Sequence, residues 1–230
     1  MNEWVLAMLM IGLTVMMYFI MNAVYVRLRS PFLVPILTTT IMVIVILTTF
    51  NVPYDTYMVG GKWIDALLGP AIVSLCIPLY KQRDIIKRHL FPIISGVVVG
   101  GIVGMVTGVV AARLVGFSNE LLASILPKSI TSPIAMQIAD ELGGIPSLAT
   151  VFVIIAGLAG ILIGPPLNKW LKIDTPLGQG IGLGVGAHAI GTSKALEYGE
   201  QTASMSSVAM TLSAIIGALI GPLFGIWLFP

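Results

Sequence analysis

Residues 4–26 carry no charged side chain, and that run constrains the fold more than any other feature of the sequence. A bilayer core takes about 20 mostly apolar residues per helix. Runs of comparable length recur at 31–50, 63–80, 91–112, 147–167 and 205–229. Pro31 and Pro35 stand in the first turns of the second run, and Asp65 lies near one end of the third. Composition agrees: of 230 residues, 57% are hydrophobic and 10% charged. A soluble domain carries about 25% charged residues. Too few charges are present to solvate a globular surface, so a soluble enzyme, a nucleic-acid module and a disordered regulator are all excluded. A net charge of +2 is too small to attract nucleic acid or another polyanion. The expected fold is an all-α polytopic membrane protein with about six spanning helices.

Basic residues orient such spans, because loops rich in Lys and Arg stay in the cytoplasm. The loop 81–90 holds Lys81, Arg83, Lys87 and Arg88 and is the strongest cytoplasmic signal. Arg27 and Arg29 then share its side. The N-terminus with Glu3, and the loop 51–62 with Asp55 and Lys62, lie outside. MNEWVLAML lacks a basic leader and a cleavage site, so no removable signal peptide is expected. Residues 119–145 and 175–201 are too polar and too broken by Gly or Pro for plain spans, yet too apolar for loops. Lys169 and Lys172 come out cytoplasmic only if 119–145 dips into the membrane and returns. By the same logic 175–201 dips from the cytoplasm. Full crossing of both stretches is the alternative.

The ends of the last two spans repeat one another: Gly160-Ile-Leu-Ile-Gly164-Pro165 and Gly217-Ala-Leu-Ile-Gly221-Pro222. Upstream of each stands a Ser/Thr pair with a lysine, in Lys128-Ser129-Ile130-Thr131-Ser132-Pro133 and in Gly191-Thr192-Ser193-Lys194. Two units of broken segment plus span, entering from opposite sides, form an inverted repeat, a plan shared by many secondary transporters. The division expected is residues 1–117 as scaffold and 118–230 as transport core. Rows of glycine four residues apart (Gly96, Gly100, Gly104, Gly108; Gly178, Gly182, Gly186; Gly217, Gly221, Gly225) suit close helix packing in lipid.

Broken segments must lie inside protein or line a wet cavity, since unpaired backbone groups cannot face lipid. A half-helix N-terminus attracts an anion. The hydroxyls of Ser129, Thr131, Ser132, Thr192 and Ser193 add hydrogen-bond donors, and Lys128 and Lys194 add positive charge. Together they suit a small carboxylate. Pro133 places the break after Ser132. His188, set among Gly and Ala, is a candidate for substrate contact or proton relay. Asp140, Glu141 and Glu197 are candidates for coupling an ion or proton, because acids at membrane depth are costly and usually functional. The plainer readings are snorkelling lysines, hydroxyls bonded to their own helices, a packing histidine and solvated acids. The lone Cys76 excludes an internal disulfide and reads as packing. No metal or cofactor motif and no nucleophile–base pair is present, so no metal, no cofactor and no enzyme activity is expected.

PKSITSPIAMQIADELGG (127–144), GIPSLATVFVIIAGLAGILIGPPL (144–167) and GLGVGAHAIGTSKALEYGE (182–200) resemble the LrgB/CidB family of bacterial membrane proteins. The stretch GPAIVSLCIPLYKQ (69–82) resembles it as well. The resemblance implies a multi-pass protein of the bacterial inner membrane. It also implies one of two roles. One is antiholin-like control of murein hydrolase export and lysis, with a small holin-like partner of the LrgA/CidA type. The other is carriage of small acids, since a plastid relative looks like a glycolate/glycerate carrier and bacterial members are linked to pyruvate. Paired Ser/Thr-Lys motifs in two related units favour an ion-coupled monocarboxylate transporter, with a homodimer expected because a moving unit needs a fixed one.

Overall fold

The computed structural model describes residues 2–28, 30, 33, 35–74 and 76–228, and it is helical. Arg29 and Pro31 lie outside the described residues, as does the side chain of Cys76. The chain divides into two compact units, Met1–Ser74 and Leu75–Pro230. The division falls after Ser74 rather than at the expected 117/118.

In the first unit α1 (Glu3–Leu28) is long and apolar enough to cross a membrane. α2 (Pro35–Thr49) has only 15 residues, about 22 Å at 1.5 Å per residue, which is short of a bilayer core. The stretch expected to be an outer loop is instead α3 (Tyr54–Asp65), which packs antiparallel on α1. The Thr14 and Tyr57 hydroxyls stand 3.1 Å apart, and the Trp4 and Trp63 rings 5.9 Å apart. A Cβ on Gly60 would lie 2.6 Å from the Ala7 carbonyl oxygen, so only glycine permits this approach. The expected third span, 63–80, is not one helix. It is shared among the end of α3, α4 (Leu68–Ser74) and α5 (Cys76–Lys81). Pro70 and Pro78 each fall in the first turn of a short helix, where the missing N–H costs nothing.

In the second unit α5 leads through the basic α6 (Arg83–Arg88) into α7 (Leu90–Leu114). An outer hairpin follows. It comprises α8 (Asn119–Ile125), a 3-10 turn (Leu126–Ser129), two extended residues Ile130 and Thr131, and α9 (Ser132–Glu141). The break therefore precedes Ser132 rather than following it. Pro133 opens α9, since proline is compatible with a helix's first turn. The Ser124 Oγ accepts from the Ile145 N–H at 2.7 Å and ties the hairpin's mouth.

α10 (Pro146–Trp170) crosses back. An inner hairpin, α11 (Pro176–Ala195), is broken at His188, and Gly191 returns against the Leu183 carbonyl so closely that a Cβ there has no room. A 3-10 turn (Leu196–Tyr198) and Gly199, at φ 104°, lead into α12 (Glu200–Leu228).

Both broken stretches thus dip and return, and they enter from opposite ends. Gly96 and Gly100 of α7 lie against Ile181 and Val185 of the inner hairpin. Gly104 and Gly108 lie against Ser129 and Lys128 of the outer one. α7 is seated on both hairpins, and for that reason it belongs with them. The repeat is visible in reciprocal contacts: Gly160 of α10 meets Ala187 at the inner tip, and Gly217 of α12 meets Ile130 at the outer tip. Gly221 and Gly225 continue the second row against Ile138 and Leu142. The row Gly178, Gly182, Gly186 is different. A Cβ on Gly186 would meet nothing within 4 Å, and Gly180 and Gly184 are the residues pressed onto α12. The unit's core, Ile93, Val97, Val185, Met205, Val208 and Ala209, joins α7, α11 and α12. In lipid such packing holds helices together by close contact rather than by water exclusion.

Candidate functional site

The two tips meet. The imidazole of His188 is 3% exposed and faces the backbone of Ser129, with the Lys128 ammonium close enough to act on it electrostatically. The Lys128 Nζ donates to the Ser129 Oγ at 3.3 Å. The Nε2 of His188 is buried without a hydrogen-bond partner. Buried polar atoms are nearly always satisfied, which sets this nitrogen at the contact of two broken helices apart. His188 has φ 48° and ψ −129°, the geometry of the first central residue of a type II′ turn, which glycine adopts most readily.

Thr131 is extended and precedes α9 without its hydroxyl capping the helix, so the first N–H groups of α9 have no side-chain acceptor from it. Ser132 opens that helix, half-buried. Thr192 lies one turn beyond His188. Its hydroxyl donates to the His188 carbonyl at 2.9 Å and stands 3.0 Å from the Ser206 Oγ. Ser193 is exposed and bonds back to the Ala189 carbonyl at 3.1 Å. The Lys194 Nζ pairs with the Glu197 carboxylate at 2.6 Å, at the inner hairpin's mouth rather than at the tips. Asp140 and Glu141 are exposed at the outer hairpin's mouth. The structure thus gathers Lys128, Ser129, Thr131 and His188 at the tips. It carries Lys194, Asp140, Glu141 and Glu197 to the rims.

A groove of about 380 Å³ is lined by Lys128 together with Gly108, Val115 and Phe117. A separate cleft of about 520 Å³ is lined by Thr192 and Ser193. Sequence reasoning missed the hydroxyls of α12, because 205–229 reads as a plain apolar span. Thr202, Ser206, Thr211 and Ser213 are all buried. Their signal was available in QTASMSSVAMTLS, where hydroxyls at 202, 206 and 213 share one helical face.

The sequence profile of the LrgB-like family matches residues 14–227. Uncharacterized protein YxaC of Bacillus subtilis is 54% identical over 100% of this chain and 99% of its own length. Uncharacterized protein YwbG of the same organism is 36% identical, over 91% of this chain and 93% of its own. Holin-like protein CidB of Staphylococcus aureus is 33% identical, over 96% of this chain and 97% of its own. No solved structure matches the chain.

Proposed function

We propose that this chain, which belongs to the LrgB-like family, is a secondary transporter of small monocarboxylates of the glycolate, glycerate or pyruvate type in the bacterial inner membrane. The observation that supports this reading most is the meeting of two oppositely entering hairpins at Ser129 and His188, with a buried unpartnered nitrogen at the junction. In this reading the substrate carboxylate separates the tips. Lys128 supplies the neutralising charge. The Thr131 hydroxyl and the Ser132 N–H supply hydrogen bonds, since Pro133 has no N–H and those of Ile134 and Ala135 donate to the Thr131 carbonyl, and the His188 Nε2 supplies one more when it carries a proton. Thr192 and Ser132 line the approach. Movement of the hairpin unit then exposes the site to one side or the other, as in other inverted-repeat carriers. Coupling of a proton or ion falls to His188 or to the rim acids Asp140, Glu141 and Glu197. A homodimer completes the scheme.

The test is uptake of labelled glycolate or pyruvate into proteoliposomes. Saturable uptake is expected, and Lys128→Gln should lower it at least about tenfold, the loss of one charge-assisted hydrogen bond. Folded protein with no saturable uptake of any small acid ends this reading.

A second reading draws on the relatives named Holin-like protein CidB. In it the chain regulates a holin-type partner of the LrgA/CidA kind and thereby lysis. Alanine at Lys194 or Ser193 would then leave the lysis phenotype intact, while bulky residues in the glycine row of α7 would abolish it. Co-purification with such a partner is the complementary measurement.

A further inference from the structure

Several polar residues of the second unit have no part in the tip contact, and they collect in the cleft of about 520 Å³. Its walls are α5, the returning arm of α11 and the start of α12. Lys81, Gln82, Thr192, Ser193, Glu200 and Ser207 supply its polar lining. The Gln82 Nε2 donates to the Ser204 Oγ at 3.0 Å and fixes the α5–α6 junction to α12. The volume lies within the range of small-ligand sites, about 300–1,000 Å³. Lys81 belongs to the basic stretch that places this end in the cytoplasm. Thr192 is part of the cleft's lining, one turn from His188. The lining carries one cation, Lys81, and one anion, Glu200. Neither takes part in an ion pair among the described residues.

We infer that this cleft is the cytoplasmic loading site of the transport path proposed above, and that it admits monocarboxylates and refuses dicarboxylates. The inference rests on that reading. Lys81 attracts a single carboxylate, and Gln82, Ser193 and Ser207 serve a neighbouring hydroxyl or keto oxygen. A second carboxylate in the same space has Glu200 for a neighbour, and like charges at close range repel. Glu200 therefore acts by exclusion, which discriminates between ligands more sharply than attraction alone.

The experiment measures binding of glycolate, malonate and glycine to the purified full chain in nanodiscs by calorimetry, beside uptake in proteoliposomes. Glycolate is expected to bind at least about tenfold more tightly than malonate. Glu200→Gln should bring the two within about threefold, and Lys81→Gln should weaken glycolate at least about tenfold. Melting curves check that each variant is folded, and Glu200→Ser replaces Glu200→Gln if the latter is not. An unchanged glycolate-to-malonate ratio in folded Glu200→Gln overturns the inference. So does glycine binding more tightly than glycolate, which would mean that Lys81 and Glu200 together grip a zwitterion. Uptake that persists while this selectivity is absent removes the loading site and spares the transporter. Selective, Lys81-dependent binding with no uptake removes the transporter instead.

Discussion

The imidazole of His188 faces the backbone of Ser129 across the junction of two hairpins that enter from opposite ends. His188 holds this place at a φ of 48°, where a side chain is unfavourable. Such strain costs on the order of 1–3 kcal/mol and is retained where geometry matters more than stability. His188→Gly is therefore expected to melt higher than His188→Ala, by a difference of about 1–3 kcal/mol, since both lose the ring but only glycine relaxes the backbone. Both should lose uptake. Thermal melting in detergent, paired with a transport assay, reads the two effects. Equal stabilities would mean that the backbone at 188 is not strained.

Glycines of the hairpins divide into those that touch and those that do not. A Cβ on Gly104 would stand 2.5 Å from the Ser129 Oγ, and one on Gly191 would run into the Leu183 carbonyl. Gly186 has open space. Alanine at 104 or 191 should cost about 1–3 kcal/mol through overpacking, with 191 the worse because backbone cannot yield. Alanine at 186 should stay within about 0.5 kcal/mol. Unfolding midpoints of the three variants give the ranking directly.

Thr192 and Ser206 share a hydroxyl contact of 3.0 Å between the inner hairpin and α12. Ser206→Ala is expected to cost about 1 kcal/mol or less, because Thr192 keeps its bond to the His188 carbonyl. A double-mutant cycle with Thr192→Val isolates the pair. A coupling energy near zero would show that the contact does not hold the hairpin.

The opposite entry of the hairpins has a labelling signature. After Cys76 is replaced, a cysteine at Asp140 should react with an impermeant thiol reagent on intact cells. A cysteine at Glu197 should react only after permeabilisation. Reaction of both from one side would contradict the inverted arrangement.

Much of this core was legible in the sequence because a few residues are strongly constraining. Gly160 and Gly217 sit in matching hexapeptides and prove to be the seats of opposite hairpin tips. Lys169 and Lys172 favour a 119–145 stretch that turns back, with full crossing as the alternative. The break of the outer hairpin was visible through Pro133, but its side was not: proline disfavours helix before it and also opens helices, and here the second effect places the break at Ile130 and Thr131. α3 reads as a loop in the sequence because its polar Asp55, Thr56 and Lys62 mask the face of Tyr57 and Gly60 that meets α1. The spacing of Gly178, Gly182 and Gly186 satisfies the packing pattern, yet the arm before His188 presents Gly180 and Gly184 to α12, and Gly191 packs on Leu183. The ion pair of Lys194 with Glu197 is the contact that i,i+3 neighbours make on a helical turn, and it places both residues at the hairpin's mouth.

One strip of α7 touches the inner hairpin with its first two glycines and the outer hairpin with its last two. No rung of that strip can be thickened for the benefit of one partner alone. Drift along this helix is tied to drift in two remote parts of the chain, and second-site revertants of a bulky change should arise around 181–185 for Gly100 and around 128–129 for Gly104.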